Sequence, residues 1–266
     1  MSVLRRPLLL VGCGKMGSAM LAGWRESGIV AAGVHIVEPA GAAGTAVVAR
    51  AEDLPAALDP EVVVFAVKPQ QMAEVAPQYR RFVKAGTLFL SIAAGTPIRF
   101  FEERLGKDAA VVRAMPNTPA AIGRGITVAC PNAKATAAQA ELAQSLLEAV
   151  GEAVIVRDEA LLDPVTALSG SGPAYVFLMI EAMADAGVAA GLPRDLAARL
   201  ALVTVAGAGQ LALESTEPPS KLRENVTSPA GTTFAALQVL MADEGMPSLM
   251  KRAIGAATRR SRELAG

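Results

Sequence analysis

Leu8-Leu9-Leu10-Val11-Gly12-Cys13-Gly14-Lys15-Met16-Gly17 is the stretch that decides the fold of this chain. A short apolar run, suited to a buried strand, leads directly into glycines spaced G-x-G-x-x-G. A helical pattern then runs from Lys15 to Ser27 and closes at Gly28. In such a turn the first glycine permits the sharp reversal, and the second lets a pyrophosphate approach the backbone. The third lets the helix pack on the sheet. A lone glycine fingerprint is weak, but strand, helix and N-terminal position agree here. Gly12, Cys13, Gly14, Lys15, Met16 and Gly17 are therefore expected to bind a dinucleotide. Glu38 ends the next expected strand, Val34–Val37, where a carboxylate accepts hydrogen bonds from an adenosine ribose 2′-OH and repels a 2′-phosphate. Taken alone it favours NADH over NADPH. Arg50 could fold back and alter that balance, and a solvated acid before Pro39 is the plainer alternative.

Further along, short β-runs alternate with helical stretches up to about residue 156. Val62–Val67 is a near-continuous apolar run, as a parallel strand buried on both faces should be. Thr87–Ile92, Val111–Ala114, Thr127–Ala129 and Ala153–Val156 read as further strands. Thr96 reads as a helix cap, with Pro97 at the first helical position. Thr136 and Gln139 have capping-box spacing, opening a helix that runs to Gly151. Strands separated by helices imply an α/β, Rossmann-like, doubly wound parallel sheet over residues 1–158. From 159 to 266 the β-pattern vanishes and six helical segments follow: Leu161–Leu168, Ala174–Ala190, Asp195–Leu213, Pro219–Asn225, Thr233–Asp243 and Pro247–Leu264. Several are apolar on more than one face, and a helix apolar all round needs partners on all sides. An all-α dimerisation domain is the expectation, with residues 182–213 as buried helices.

Composition narrows the function. Hydrophobic residues make up 52%, which excludes a disordered chain, and Lys+Arg and Asp+Glu stand at 25 each, so no bulk field recruits nucleic acid or an anionic membrane. With no uninterrupted apolar run of about 18 residues, no membrane partner is expected. Cys13 and Cys130 lack metal-ligand spacing and read as reduced thiols of a cytoplasmic protein. The one histidine, His35, sits inside a strand, so a histidine triad or metal site is not expected. The partner that remains is a small molecule.

Candidate contacts to that molecule lie at the carboxyl ends of the strands. Val67, Lys68 and Pro69 follow the third strand, and Ala93, Ala94 and Gly95 follow the fourth, where small residues let a flat ring lie near the backbone. Lys68 either contacts a ribose or is simply solvated. Asn117, between Pro116 and Pro119, orients a ligand or bonds its own rigid loop. Ser169-Gly170-Ser171-Gly172-Pro173 is a hydroxyl-rich helix entry, either a cap or a contact to nicotinamide or substrate. Asn225-Val-Thr-Ser-Pro-Ala-Gly-Thr-Thr233 is a second, where hydroxyls and unpaired amides at a helix N-terminus form a socket for a small carboxylate. An ordinary capped helix is its bland alternative.

Five blocks, Gly12–Gly17, Val67–Gln70, Arg113–Ala120, Leu168–Val176 with Gly187–Pro193, and Asn225–Thr233, resemble in order those of the pyrroline-5-carboxylate reductase family and span nearly the whole chain. The resemblance implies hydride transfer from NADPH or NADH to C5 of 1-pyrroline-5-carboxylate, giving L-proline in the last step of proline biosynthesis. It implies a homodimer and allows a decamer of such dimers. It places Ser228 and the amides of Gly231, Thr232 and Thr233 on the substrate carboxylate, the Thr233 hydroxyl on the ring nitrogen, and Met115 beside the reacting faces. This chain has Ala230-Gly231 where the family often has two glycines, and the expectation is that Gly231 alone must be conformationally permissive. A β-hydroxyacid dehydrogenase would want a lysine on the helix after the sheet, and Pro173–Gly191 contains none. A non-catalytic NAD(P)H sensor would not need the Ser228–Thr233 socket.

Overall fold

The computed structural model describes residues 3–42 and 46–265. It divides into two compact units, one up to Gly170 plus the last turns of the chain from Ala257, the other Ser171–Ala256. The first unit contains β1 (Leu8–Val11), α1 (Lys15–Glu26), β2 (Val34–Val37), β3 (Val47–Val48), β4 (Val62–Phe65), α2 (Met72–Val75), β5 (Leu88–Ser91), α3 (Ile98–Leu105), β6 (Ala110–Met115), β7 (Gly125–Pro131), α4 (Ala137–Glu148), β8 (Gly151–Ile155) and α5 (Leu162–Val165). The strands form one sheet in the order β3-β2-β1-β4-β5-β6-β7-β8. The strand order reverses between β1 and β4, which run parallel with Val11 opposite Phe65. Ligands bind doubly wound sheets outside the carboxyl ends of the strands at such a switch point.

Side-chain alternation sorts the core into two layers. Leu8, Leu10, Val62 and Val64 pack with Met20 and Trp24 of α1 and Leu146 and Leu147 of α4 on one face. Leu9, Val11, Val63 and Phe65 pack with Tyr79, Phe82, Phe89 and Phe101 on the other. The Trp24 indole N–H donates to the Leu146 carbonyl at 2.7 Å, joining the two helices of the first layer. All four residues of β1, β4 and β5 are buried, which is why these runs show no alternation in the sequence.

The structure departs from the expectation in particulars. β6 and β7 are antiparallel, while the other pairings among the described residues are parallel. The connection over 116–124 carries only a short 3-10 turn rather than a crossover helix, so the chain folds straight back. Thr96 does not cap α3; Pro97 holds the cap position without a side-chain bond. The capping box of Thr136 and Gln139 is present, but α4 stops at Glu148 and Gly151 opens β8.

The second unit comprises α6 (Gly172–Ala189), α7 (Arg194–Glu214), α8 (Pro219–Asn225), α9 (Thr232–Leu240) and the greater part of α10 (Met246–Ala265). α6 and α7 pack closely: a Cβ on Gly187 would lie 3.1 Å from the Ala197 Cβ, and Ala184, Ala197 and Ala201 are buried. The large apolar side chains point elsewhere. Phe177, Leu178, Leu202 and Val203 are each more than half exposed. The expectation that residues 182–213 form buried helices is therefore corrected within a single chain, because only the small-residue faces find each other. By length and composition Glu159–Ala189 and Arg194–Glu214 would also pass as membrane spans, with 6% and 11% of the apolar windows buried.

Candidate functional site

The fingerprint glycines divide their work as their spacing suggests. Gly12 has φ +90, and a Cβ there would lie 2.8 Å from Val67 Cγ1 and 2.9 Å from the Ala66 carbonyl. A Cβ on Gly17 would lie 2.5 Å from the Gly12 carbonyl oxygen, so the close packing of α1 on the turn depends on it. Gly14 has nothing within 4 Å of its missing Cβ and opens α1 with neither a side-chain cap nor an acid in the first turn. Uncapped amides at the positive end of a helix, beside a position bare of side chains, fit a diphosphate.

Around this turn lies a cleft of about 690 Å³, lined by Gly12 and Gly14, by Glu38, Pro39 and Ala40, by Arg50 and Glu52, and by Val67 and Lys68. Glu38 is held by two backbone donors: Cys13 N–H at 2.7 Å and Ala40 N–H at 3.1 Å. Its carboxylate thus stands across the fingerprint turn. Burial, and then the Glu38 charge, push the Cys13 thiol up from its ordinary value, leaving it protonated at neutral pH. Arg50 does not turn to Glu38; it pairs with Glu52 at 2.6 Å and with Asp53 at 3.3 Å.

Val67 and Lys68 also line a second hollow of about 280 Å³, with Met16, Ile92, Met115, Asn117 and Gly170. The two cavities share Ala66, Val67 and Lys68, so a dinucleotide can run from Glu38 past the glycine turn to Met115. Asn117 bonds its own surroundings: Oδ1 accepts from Ile126 N–H at 3.0 Å, and Nδ2 donates to Ser169 Oγ at 3.4 Å. Ser171 precedes α6 without a side-chain cap, and the π-turn Thr166–Gly170 presents Gly170 to Met115. A Cβ on Gly170 would collide with the Met115 methyl. Of the residues expected after the fourth strand, Ala93 is buried, while Ala94 and Gly95 line a separate hollow with Pro69 and Leu264. Ile92, rather than these three, reaches the cleft at that strand end. Sequence reasoning missed Ile92, Ala66, Gln71, Gln78, Tyr79 and Glu52 as lining residues; none carries a motif, and only the sheet order brings them to one edge.

The hydroxyl-rich turn belongs to the second unit. Asn225 Nδ2 donates to Glu217 at 2.9 Å and Thr227 Oγ1 to the Arg223 carbonyl at 2.6 Å, so both are used in building the turn. Gly231 N–H donates to the Ser228 carbonyl at 3.0 Å, and Gly231 sits before α9 without a side-chain cap. Thr232 and Thr233 therefore occupy the first turn of α9, whose amides lack intrahelical partners. Gly231 has φ −80, whereas Ala230 has φ +56. The expectation that Gly231 is the permissive position is corrected: the turn makes its left-handed step at Ala230.

A family model described as "Pyrroline-5-carboxylate reductase dimerisation" matches residues 159–264, and one described as "NADP oxidoreductase coenzyme F420-dependent" matches residues 8–95. The chain is 44% identical to the pyrroline-5-carboxylate reductase of Pseudomonas aeruginosa, over 97% of this chain and 96% of that protein. The pyrroline-5-carboxylate reductase structure from Coxiella burnetii is similar at a TM-score of 0.90 and 32% identity, covering 99% of this chain and 100% of that one. The NADP-bound pyrroline carboxylate reductase from Plasmodium falciparum is similar at 0.84 and 29%, with both chains covered in full. A dimerisation match over the helical region accounts for its uncovered apolar faces by a partner subunit.

Proposed function

The chain belongs to the pyrroline-5-carboxylate reductase family, and from that premise we propose how its own residues carry the reaction. It is an NAD(P)H-dependent oxidoreductase that reduces 1-pyrroline-5-carboxylate to L-proline. The nicotinamide, when bound, supplies the hydride that C5 accepts, and the ring nitrogen takes a proton. A cyclic imine is protonated by solvent before it binds, so the protein needs no histidine or cysteine acid, which suits a chain whose one histidine lies in β2.

The fingerprint turn Gly12–Gly17 holds the diphosphate, and Glu38 accepts the adenosine ribose hydroxyl. Val67, Lys68 and Asn117 border the nicotinamide half. Pro69, Ala93, Ala94 and Gly95 support the strand ends behind it. Ser228 and the amides of Thr232 and Thr233 hold the substrate carboxylate, and Gly231 shapes their turn. Thr233 is the catalytic residue in a restricted sense: its hydroxyl orients the imine nitrogen so that C5 faces the hydride. Met115 walls the reacting face. Positioning of this kind supplies much of the rate. The observation that carries the reading is the presence in one chain of both a bare-glycine cradle and an uncapped, hydroxyl-bearing helix start.

Residues 1–158 act as the coenzyme domain and 159–266 as the dimerisation and substrate domain, a division supported by a dimerisation match that begins at 159, although by compactness the first unit runs on to Gly170 and takes in the chain from Ala257. The assembly is a homodimer that can build a decamer, without nucleic acid or membrane partners. Free Cys13 and Cys130 suit the cytoplasm. Thr233→Ala tests the site: kcat/KM for the imine falls on the order of 10²-fold while NADH binding is retained. Near-normal turnover would remove Thr233 from the mechanism.

A further inference from the structure

The adenosine end of the cleft poses a charge problem that Glu38 alone does not settle. Two described cations line the cleft, Arg50 and Lys68, and Lys68 also lines the hollow at the Met115 end. A guanidinium is the group best suited to a 2′-phosphate, because its planar fork matches phosphate oxygens. Arg50 is the guanidinium within reach, and it is already engaged. Nη1 meets Glu52 Oε1 at 2.6 Å, while Nη2 and Nε each lie 3.3 Å from Asp53 carboxylate oxygens. These contacts form around one tight turn, since Arg50 precedes the 3-10 helix Ala51–Asp53. Arg81 donates to the Ala51 carbonyl at 3.2 Å and stacks over Phe82, and it does not line the cleft. The amide of Ala40, another possible phosphate donor, is taken by Glu38.

We propose that Glu52 and Asp53 decide coenzyme choice in this chain by holding Arg50 away from the position a 2′-phosphate would take. The inference rests on the placement of the adenosine ribose at Glu38. Glu52 and Asp53 pair with one guanidinium while Glu38 stands apart from it on the same cleft, so three carboxylates outnumber the two cations Arg50 and Lys68 and leave a net negative field. That field repels a phosphate dianion and leaves a ribose hydroxyl, which donates to Glu38, unaffected. Both acids are substantially exposed, so each contact is individually weak and screened by salt. The device is therefore a bias that neutral substitutions can reverse, rather than a steric block.

The experiment is a fluorescence titration of the full-length protein with NADH and with NADPH. It compares the unsubstituted chain, Glu52→Gln/Asp53→Asn, the same pair combined with Arg50→Ala, and Glu38→Gln. The unsubstituted chain should bind NADH more tightly. The paired substitution should tighten NADPH by about tenfold at low salt, less at high salt, with NADH changed by no more than about twofold. Adding Arg50→Ala should abolish that gain. An unchanged NADPH-to-NADH ratio in Glu52→Gln/Asp53→Asn, or a gain that survives without Arg50, overturns the proposal. If Glu38→Gln still shifts the ratio in that case, the ribose placement stands and only the role of Glu52 and Asp53 fails; if no variant changes either affinity, both fail together.

Discussion

Ala230 is the one non-glycine residue with a positive φ among the described residues. Its φ of +56 lies in the left-handed region, where a Cβ crowds the following carbonyl at a cost of about 1–2 kcal/mol. Glycine would avoid that cost but lose about 0.5–1 kcal/mol of unfolded-state advantage. Ala230→Gly should therefore stabilise the protein by a net ~0.5–1 kcal/mol, read as a higher urea midpoint with an unchanged slope. A lower midpoint would mean that the turn does not carry this strain. The strain sits directly before Gly231 and the first turn of α9, so the same substitution should loosen the Ser228–Thr233 socket. The KM for the imine should rise more than the KM for NADH.

Helix α3 shows how an element can be anchored from far along the chain. Its first amide, Ile98 N–H, donates to Glu159 Oε1 at 2.8 Å, and the same oxygen pairs with Arg113 of β6 at 2.8 Å. The Arg113 side chain is 6% exposed and that of Glu159 31%. Removing the carboxylate strands a buried guanidinium and a helix amide together. Glu159→Ala should cost about 2–3 kcal/mol, less than a fully buried pair because water reaches Glu159. Glu159→Gln, which can still accept from the amide, should cost less. Equal denaturation midpoints for Glu159→Ala and the unsubstituted protein would show that neither contact matters. Local sequence pointed to Thr96 as the cap because the helix start and Pro97 are local signals. An acid some sixty positions away leaves no such signal, and only the sheet brings β6 and residue 159 to that helix end.

The molecule cannot be complete as one copy, because the helical unit turns its large apolar side chains outward. Phe177 is 58% exposed, Leu178 64% and Val203 60%. Placing charge on that face should separate the subunits. Phe177→Asp/Val203→Asp is expected to elute as a monomer in gel filtration with light scattering. The coenzyme unit carries its own two-layer core, so NADH affinity should survive the substitution. A stable dimer would move the interface to other helices.

What the sequence determined by itself was everything encoded locally: the strand–glycine–helix turn at Leu8–Gly17, the Thr136–Gln139 capping box, and the change from strand to helix periodicity near residue 160. Periodicity and steric permission act over a few neighbouring residues, so they can be read without a fold. The tertiary structure alone decided which strand ends share a cleft, so that Ile92 lines it while Ala94 and Gly95 face Leu264. It decided that Arg50 pairs with Glu52 and Asp53 and that Glu38 reaches across to Cys13. It also set the direction of β7 and the left-handed step at Ala230 rather than Gly231. Most of these depend on where distant segments are brought; the Arg50 pairs and the Ala230 step depend instead on how a turn closes, which residue spacing alone does not specify.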